Sequence, residues 1–232
     1  MKKLTLVLMV IFFMASVSFA LTINEVVDKD AYVSDGIEAT MVRKIDAQSR
    51  NLTIEGKFYM KNKKSRANMK ITEDMVGSKA QMQRLEMMGM TNRVTISVDK
   101  DQSVVQYMIF PDNKAYIERT TQKNEKSFNI DDMLNRKIEK VGKVKFNNLD
   151  TTKYKELNPD ENVKESYIYV KDNLIIGSET TYTEDSKTNK IEIFYKDIKK
   201  GVDDSHFNIP ENYQKFSNMR SMMQSLMQDM QG

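Results

Sequence analysis

Methionine is the residue type in this sequence whose spacing could support chemistry. Six apolar residues near the end of the chain follow one another at three- or four-residue intervals or as neighbours, namely Met219, Met222, Met223, Leu226, Met227 and Met230. This spacing places them on one side of an amphipathic α-helix. Thioether sulfurs are soft ligands, so Met219, Met222, Met223 and Met227 could bind Cu(I). Methionine is also flexible and polarizable, so the stripe could equally line an adaptable binding surface or pack on a core.

The segment Asp203-Asp204-Ser205-His206 is the other candidate for a metal site, and it contains the single His of the sequence. Its spacing does not place the ligand types on one helix face, so it favours a solvated loop. The chain has no Cys, which excludes thiolate chemistry, and one His makes a Ser-His-Asp triad or a His-ligated zinc site a poor fit. We therefore expect a binding protein without a cofactor, not an enzyme.

The charge balance argues against a nucleic-acid partner. Lys and Arg total 36 and Asp and Glu total 33, which gives a net charge of +3. Nucleic-acid-binding domains carry a marked basic excess that this chain lacks. With 232 residues, of which 40% are hydrophobic, the chain is long enough for one domain with its own core. We expect that domain to be a monomer.

The first twenty residues have the three parts of a bacterial secretory signal. Met1-Lys2-Lys3 is basic, residues 4–15 are apolar, and Ser18 and Ala20 are the small residues that a signal peptidase recognises. We predict cleavage after Ala20 and a mature protein that is soluble in the periplasm. The alternative is an uncleaved membrane anchor, because the apolar run is just long enough to span a bilayer.

Most of the remaining chain alternates between apolar and polar residues, as half-buried antiparallel strands do. In residues 52–60, Leu52, Ile54, Phe58 and Met60 alternate with polar residues, and residues 67–71 form the hairpin partner. The pattern predicts nine to eleven strands joined by tight turns. Helices are predicted at residues 22–48, 78–90, 130–139 and 214–232, the last carrying the methionine stripe. The predicted fold class is α+β, mainly antiparallel β, with helices over the apolar face of a curved sheet.

Four segments carry a resemblance to a known family. They are the strand at residues 52–60, a hairpin at 107–118, the tract at 139–144 followed by 152–154, and the ending F-x-I-P-x-x-Y at 207–213. Their order and spacing resemble the LolA/LolB-like superfamily of bacterial envelope proteins, which comprises outer-membrane lipoprotein-sorting carriers and uncharacterised relatives. The resemblance covers residues 22–213. It implies an unclosed, strongly curved β half-barrel at residues 21–213, whose concave apolar face is covered by helices.

In the carriers that concave face receives the acyl chains of a lipoprotein. The residues and the resemblance together predict a non-catalytic periplasmic carrier or binding protein for a lipid or an acylated (lipoprotein) ligand. The predicted lining residues come from two strands and a helical lid, and they are Leu52, Ile54, Phe58, Met60, Met69, Ile71, Met82, Leu85 and Met88. Two alternatives stay open. One is an interaction or sensor module for an envelope protein partner on the same fold, and the other is a Cu(I)-binding protein.

Overall fold

The computed structural model describes residues 20–47, 50–122, 130–184 and 186–229. The predicted signal sequence, up to residue 19, lies outside the described residues, and so does Met230 of the methionine stripe. Thirteen strands of the described chain form one sheet. They are β1 (Leu21–Thr22), β2 (Ile37–Ala47), β3 (Arg50–Lys61), β4 (Lys64–Lys70), β5 (Asn92–Asp99), β6 (Ser103–Phe110), β7 (Ala115–Gln122), β8 (Lys137–Phe146), β9 (Leu149–Glu156), β10 (Val163–Lys171), β11 (Leu174–Glu184), β12 (Lys187–Lys200) and β13 (Gln214–Phe216).

The sheet consists of two antiparallel meanders that meet at a central seam. Strands β2 to β7 follow in chain order on one side, strands β8 to β12 follow in chain order on the other, and β12 pairs with β2. The short strands β1 and β13 lie at the outer edges, and β13 runs parallel to β7. The two edges do not pair with each other within the described residues. This confirms the predicted class, which is a mainly antiparallel, unclosed half-barrel with additional helices.

Five α-helices accompany the sheet in the described ranges. They are α1 (Lys29–Val33), α2 (Glu73–Val76), α3 (Lys79–Met87), α4 (Ile130–Asn135) and α5 (Met219–Asp229). Short 3-10 helices occur at Ile23–Glu25, Pro111–Asn113 and Asp204–Phe207. Among the described residues, no helix combines the length and the apolar character needed to cross a bilayer.

Strand β3 defines the two faces of the sheet. Its apolar residues Leu52, Ile54, Phe58 and Met60 are less exposed than most of the polar residues between them, as the alternation predicts. We call the face of these four residues the inner face and the opposite face the outer face. The pairing registers carry the inner face across seven strands in one row of residues, which is Ala39, Phe58, Ala67, Thr95, Met108, Ile117 and Phe216.

One end of the inner face is covered by the 3-10 helix Ile23–Glu25 together with α1 and α4. Tyr32 of α1 and Leu134 of α4 are each 1% exposed and pack with Ile138 and Met60 of the sheet. The hydroxyl of Tyr32 accepts a hydrogen bond from the backbone N–H of Ile175, at 2.7 Å. We call this assembly the N-terminal cap, and the hydrogen bond joins it to β11.

The other end of the inner face is covered by α3 and α5. Met88 and Met222 are buried with Phe110 and Ile117 of β6 and β7. Met90, which follows α3, is buried in the same cluster. We call this assembly the methionine cap. It brings together the two methionine-rich segments that are far apart in the sequence.

The chain reaches α5 by crossing the outer face. After β12, Val202 and Phe207 pack on Tyr59 and Ile96, and the ring of His206 stacks on that of Tyr59 with 4.4 Å between centroids. Asp204 forms ion pairs with two lysines of β3 and β4, at 3.4 and 3.0 Å. The segment 203–206 therefore fastens the crossing to the sheet. Within the described ranges, no three His, Cys, Asp or Glu side chains are placed so that they could hold a metal ion.

Aromatic rings and charges occupy the outer face of the other meander. Phe146 stacks on Tyr169 at 3.8 Å between centroids, and it does so directly over Gly177, where a Cβ would lie 2.4 Å from the Phe146 ring. The hydroxyl of Tyr169 donates to Glu179 at 2.6 Å, and Lys190 donates to the same carboxylate at 3.0 Å. Burial raises the pKa of Glu179, but these hydrogen bonds outweigh it and hold the pKa below its ordinary value.

Three predicted helices are wrong in part. Residues 37–47 form β2, not a helix, because Ile37, Met41 and Ile45 are four positions apart, and residues four apart share a face in a strand as well as in a helix. The helix predicted at 130–139 ends at Asn135, and β8 begins at Lys137. The segment predicted as a helix at 214–232 begins with strand β13 before α5 starts.

Candidate binding site on the inner face

A strip of half-buried apolar side chains lies on the middle strands of the inner face. It comprises Met41, Ile45, Leu52, Ile54, Met69, Ile191 and Ile193. We call it the inner strip. These residues belong to β12, β2, β3 and β4, the middle strands of the sheet. On β2 and β3 they lie toward the end of the strands away from Ile37 and Met60, which pack under the N-terminal cap. Within the described chain, none of them belongs to the four core clusters.

One open cavity borders an end of the strip. Ile191 and Thr180 pair in register, and together with Tyr182 and the turn at residues 160–163 they line a cavity of about 500 Å³. Small-molecule sites commonly have volumes of about 300–1,000 Å³. The strip therefore leads from the covered part of the sheet to an opening of ligand size. A second cleft, of about 290 Å³, is lined mainly by outer-face residues such as Lys44 and Glu192 and opens on that face.

Gly56 lies in the floor of the strip, where the backbones of β3 and β4 come close together. It pairs with Met41 on one side and with Met69 on the other. A Cβ at this position would lie 2.1 Å from the carbonyl oxygen of Asn68, so only glycine fits. The thioethers of the two flanking methionines are flexible and can adjust to an occupant of the strip.

Two arginines interrupt the apolar pattern of the inner face. The Nε atoms of Arg43 and Arg93 are buried and have no hydrogen-bond partner among the described residues. Burial lowers the pKa of Arg93, whose guanidinium lies 5.8 Å from the centre of the Phe110 ring. Burial raises the pKa of Tyr195 to about 12, and the charge of Arg43 acts against this rise. The sequence signal for Arg43 was its position between Met41 and Ile45, and the helical interpretation of that segment concealed it.

The predicted lining residues fall into separate places. Leu52, Ile54 and Met69 belong to the inner strip, whereas Phe58 and Met60 pack under the N-terminal cap. Leu85 and Met88 belong to the methionine cap. The two remaining residues, Ile71 and Met82, are buried at 7% and 9% exposure. The structure thus unites three of the nine predicted residues in the strip.

The methionine stripe is divided in a similar way. Met222 is fully buried, and Met219 and Met223 pack beside it against the same cluster. Met227 is 52% exposed. The cluster around Met222 combines further methionines with aromatic and aliphatic side chains such as Phe110 and Ile117, and the burial of Met222 among them agrees with the packing role of the stripe. The Cu(I) site stays a prediction.

A further cavity of about 630 Å³ lies beside the N-terminal cap, at the ends of β8, β9 and β10. Its lining combines Val26 and Tyr154 with three lysines and two aspartates. Lys145 and Asp150 in this lining form an ion pair at 3.6 Å. The sequence did not reveal this cavity, because its walls come from three strands, the turn at residues 172–173 and Val26, which only the fold brings together.

Neither a protein-family model nor a curated protein matches the sequence. Solved structures with a similar course of the chain include an uncharacterised conserved protein from Thermus thermophilus, which is 9% identical, with a TM-score of 0.48 over 84% of this chain and 97% of that one. A second, described as an outer membrane lipoprotein-sorting protein domain from Vibrio parahaemolyticus, is 11% identical, with a TM-score of 0.35 over 78% and 93% of the two chains.

A third similar structure is a DUF1329 family protein from Desulfovibrio piger, which is 11% identical, with a TM-score of 0.31 over 78% of this chain and 92% of that one. These identities and TM-scores leave the function to be inferred from the residues of the chain itself. The unclosed antiparallel sheet with helices on one face is the architecture that the resemblance to the LolA/LolB-like superfamily implies.

Proposed function

We propose that the protein is a non-catalytic carrier or binding protein for a lipid or an acylated ligand, exported to the periplasm by the signal at residues 1–20. The inner strip is the observation that supports this proposal. A soluble protein rarely leaves contiguous apolar surface without a partner. Here seven apolar side chains lie half-buried in the middle of a sheet whose two ends are covered by helices.

An acyl chain is the occupant that the strip suits best. Its floor is aliphatic and methionine-rich, with no aromatic residue among the seven, and each methylene removed from water contributes about 0.8 kcal/mol. Binding of this kind requires no covalent step. Release then depends on displacement by a partner or on movement of a cap.

The test compares two substitutions at neighbouring positions of β3. Ile54→Asp places a charge on the inner strip, and Thr53→Asp places the same charge on the outer face, where Thr53 is exposed. Both proteins and the wild type are purified from a bacterial periplasm. Bound species are then measured by native mass spectrometry and lipid extraction, and the fold is checked by circular dichroism.

We expect the wild type and Thr53→Asp to carry an acyl species that folded Ile54→Asp has lost. A wild-type protein that has its calculated mass, and that stays bare when offered lipid, contradicts the proposal and favours the protein-interaction module. A mass excess that matches copper contradicts it in favour of a Cu(I)-binding protein. If Ile54→Asp and Thr53→Asp carry equal amounts of an acyl species, that species binds outside the inner strip.

A further inference from the structure

We infer that Arg43 and Tyr195 bind the head group of the ligand and that this head group is a carboxylate, so that the ligand is a long-chain carboxylate. This inference rests on the proposed function, since it adds a polar end to the apolar site. It starts from the position of Arg43. In register, Arg43 lies between Ile54 of β3 and Ile193 of β12, both of which belong to the inner strip.

Within the described ranges, the guanidinium of Arg43 has neither an acceptor for its buried N–H nor a carboxylate as a counter-charge. Its Nε is buried without a hydrogen bond, and Arg43 forms no ion pair with a carboxylate of the described chain. A buried N–H donor without an acceptor is destabilising. Such unsatisfied groups are rare in native proteins and each requires an explanation, which an acceptor on a bound ligand would provide here.

Tyr195 supplies a second donor beside Arg43. Arg43 pairs with Ile193, and Tyr195 is the next residue of β12 on the inner face. Diagonal neighbours of this kind are about 7–8 Å apart at Cα, within reach of long side chains. A phenol is neutral at physiological pH and retains a proton to donate, and burial raises the pKa of Tyr195 further, to about 12. Guanidinium and phenol together offer N–H and O–H donors to the two oxygens of one carboxylate.

The charge count favours a head group with a single negative charge. Of the described residues, one unpaired cation faces this part of the strip, and the residues around it, such as Met41, are apolar. Arg93 is the other orphaned guanidinium of the inner face, but its position over the Phe110 ring provides a cation–π contact. Because Arg93 has this contact and no phenol as an electrostatic neighbour, it serves as the control position.

The test measures displacement of a neutral fluorescent probe, N-phenyl-1-naphthylamine, by two competitors of equal chain length, dodecanoate and dodecan-1-ol. The proteins are the wild type, Arg43→Gln, Arg93→Gln and Tyr195→Phe. Each is first shown to be folded by circular dichroism and thermal unfolding. If Arg43→Gln does not fold, Arg43→Lys replaces it, because lysine keeps the charge and removes the Nε donor and the planar fork.

We expect the wild type to bind dodecanoate about tenfold or more tightly than dodecan-1-ol, which is the ratio that a charge-assisted hydrogen bond supplies. Arg43→Gln removes this preference and leaves dodecan-1-ol binding within about twofold. Tyr195→Phe reduces the preference several-fold, and Arg93→Gln leaves it intact.

A wild type that binds both competitors equally overturns this inference and leaves the carrier function standing. Equal weakening of both competitors in Arg43→Gln also overturns it, because Arg43 then only supports the strip. Loss of the preference in Arg93→Gln instead moves the head group to the other arginine and overturns the assignment. A wild type that binds neither the probe nor the competitors overturns the proposed function together with this inference.

Discussion

Replacing Tyr32 by phenylalanine tests how the N-terminal cap is held on the sheet. The hydroxyl of Tyr32 accepts the backbone N–H of Ile175 at 2.7 Å, across 143 positions of the sequence. The side chain is 1% exposed, so water cannot replace the lost acceptor. A buried donor without a partner costs about 1–3 kcal/mol. We expect Tyr32→Phe to lower the free energy of unfolding by that amount.

The measurement is urea unfolding followed by far-UV circular dichroism, with Tyr154→Phe as the matched control. Tyr154 belongs to the same buried cluster as Tyr32, and its hydroxyl makes no hydrogen bond to the described residues. Its loss should change the free energy of unfolding by less than about 0.5 kcal/mol. Equal destabilisation by the two substitutions refutes the argument, because the effect then comes from the ring environment and not from the orphaned N–H.

The same variant has a second readout at alkaline pH. Burial raises the pKa of Tyr32 above its ordinary value of 10.0. The unfolded state therefore loses the phenolic proton first, and the stability that Tyr32 contributes decreases as the pH rises above 10. We expect the urea midpoint of the wild type to fall more steeply above pH 10 than that of Tyr32→Phe. Parallel decreases of the two midpoints would speak against a buried neutral phenol.

Three further predictions concern other parts of the fold. Met222→Ala should destabilise the methionine cap by about 2–5 kcal/mol and expose α5 to proteolysis, whereas Met227→Ala, at a 52% exposed position, should leave both unchanged. Gly177→Ala should lower the free energy of unfolding by about 3 kcal/mol or more and reduce the near-UV dichroism of the stacked Phe146, because the added Cβ would lie 2.4 Å from both the Phe146 ring and the backbone oxygen of Ile193. The lowered pKa of Glu179 stabilises the fold above pH 4.5, so stability should be lost as the pH falls below it, and less steeply in Glu179→Gln.

Local periodicity was sufficient for much of the fold. The alternation in β3 and the three- and four-residue spacing in α5 each admit one interpretation, and the structure agrees with both. The spacing of Ile37, Met41 and Ile45 is compatible with two interpretations, a strand and a helix, because four positions is a multiple of the strand period and close to one helical turn. The edge strands β1 and β13, of two and three residues, are too short to show any period.

The candidate site required information that no local pattern contains. Ile193 becomes a neighbour of Arg43 only through the register of β12 on β2. The two strands lie at opposite ends of the chain, so the sequence could not show that an arginine and a phenol share one apolar surface. The predicted lining residues came from β3, β4, α3 and the positions that directly follow β4 and α3, so the four strip residues that β2 and β12 supply were missed.

The seam between β2 and β12 has a consequence for the order in which the chain folds. Lys44 and Glu192, which form an ion pair across the seam at 3.1 Å, are 148 positions apart. Until β12 is present, β2 has a free edge and the two meanders have no common sheet. Closing so long a loop is entropically unfavourable and makes folding slow. Because the chain is synthesised from its N-terminus, β12 is made long after β2 and this sheet is completed late. Such late completion is compatible with passage through a membrane in the unfolded state.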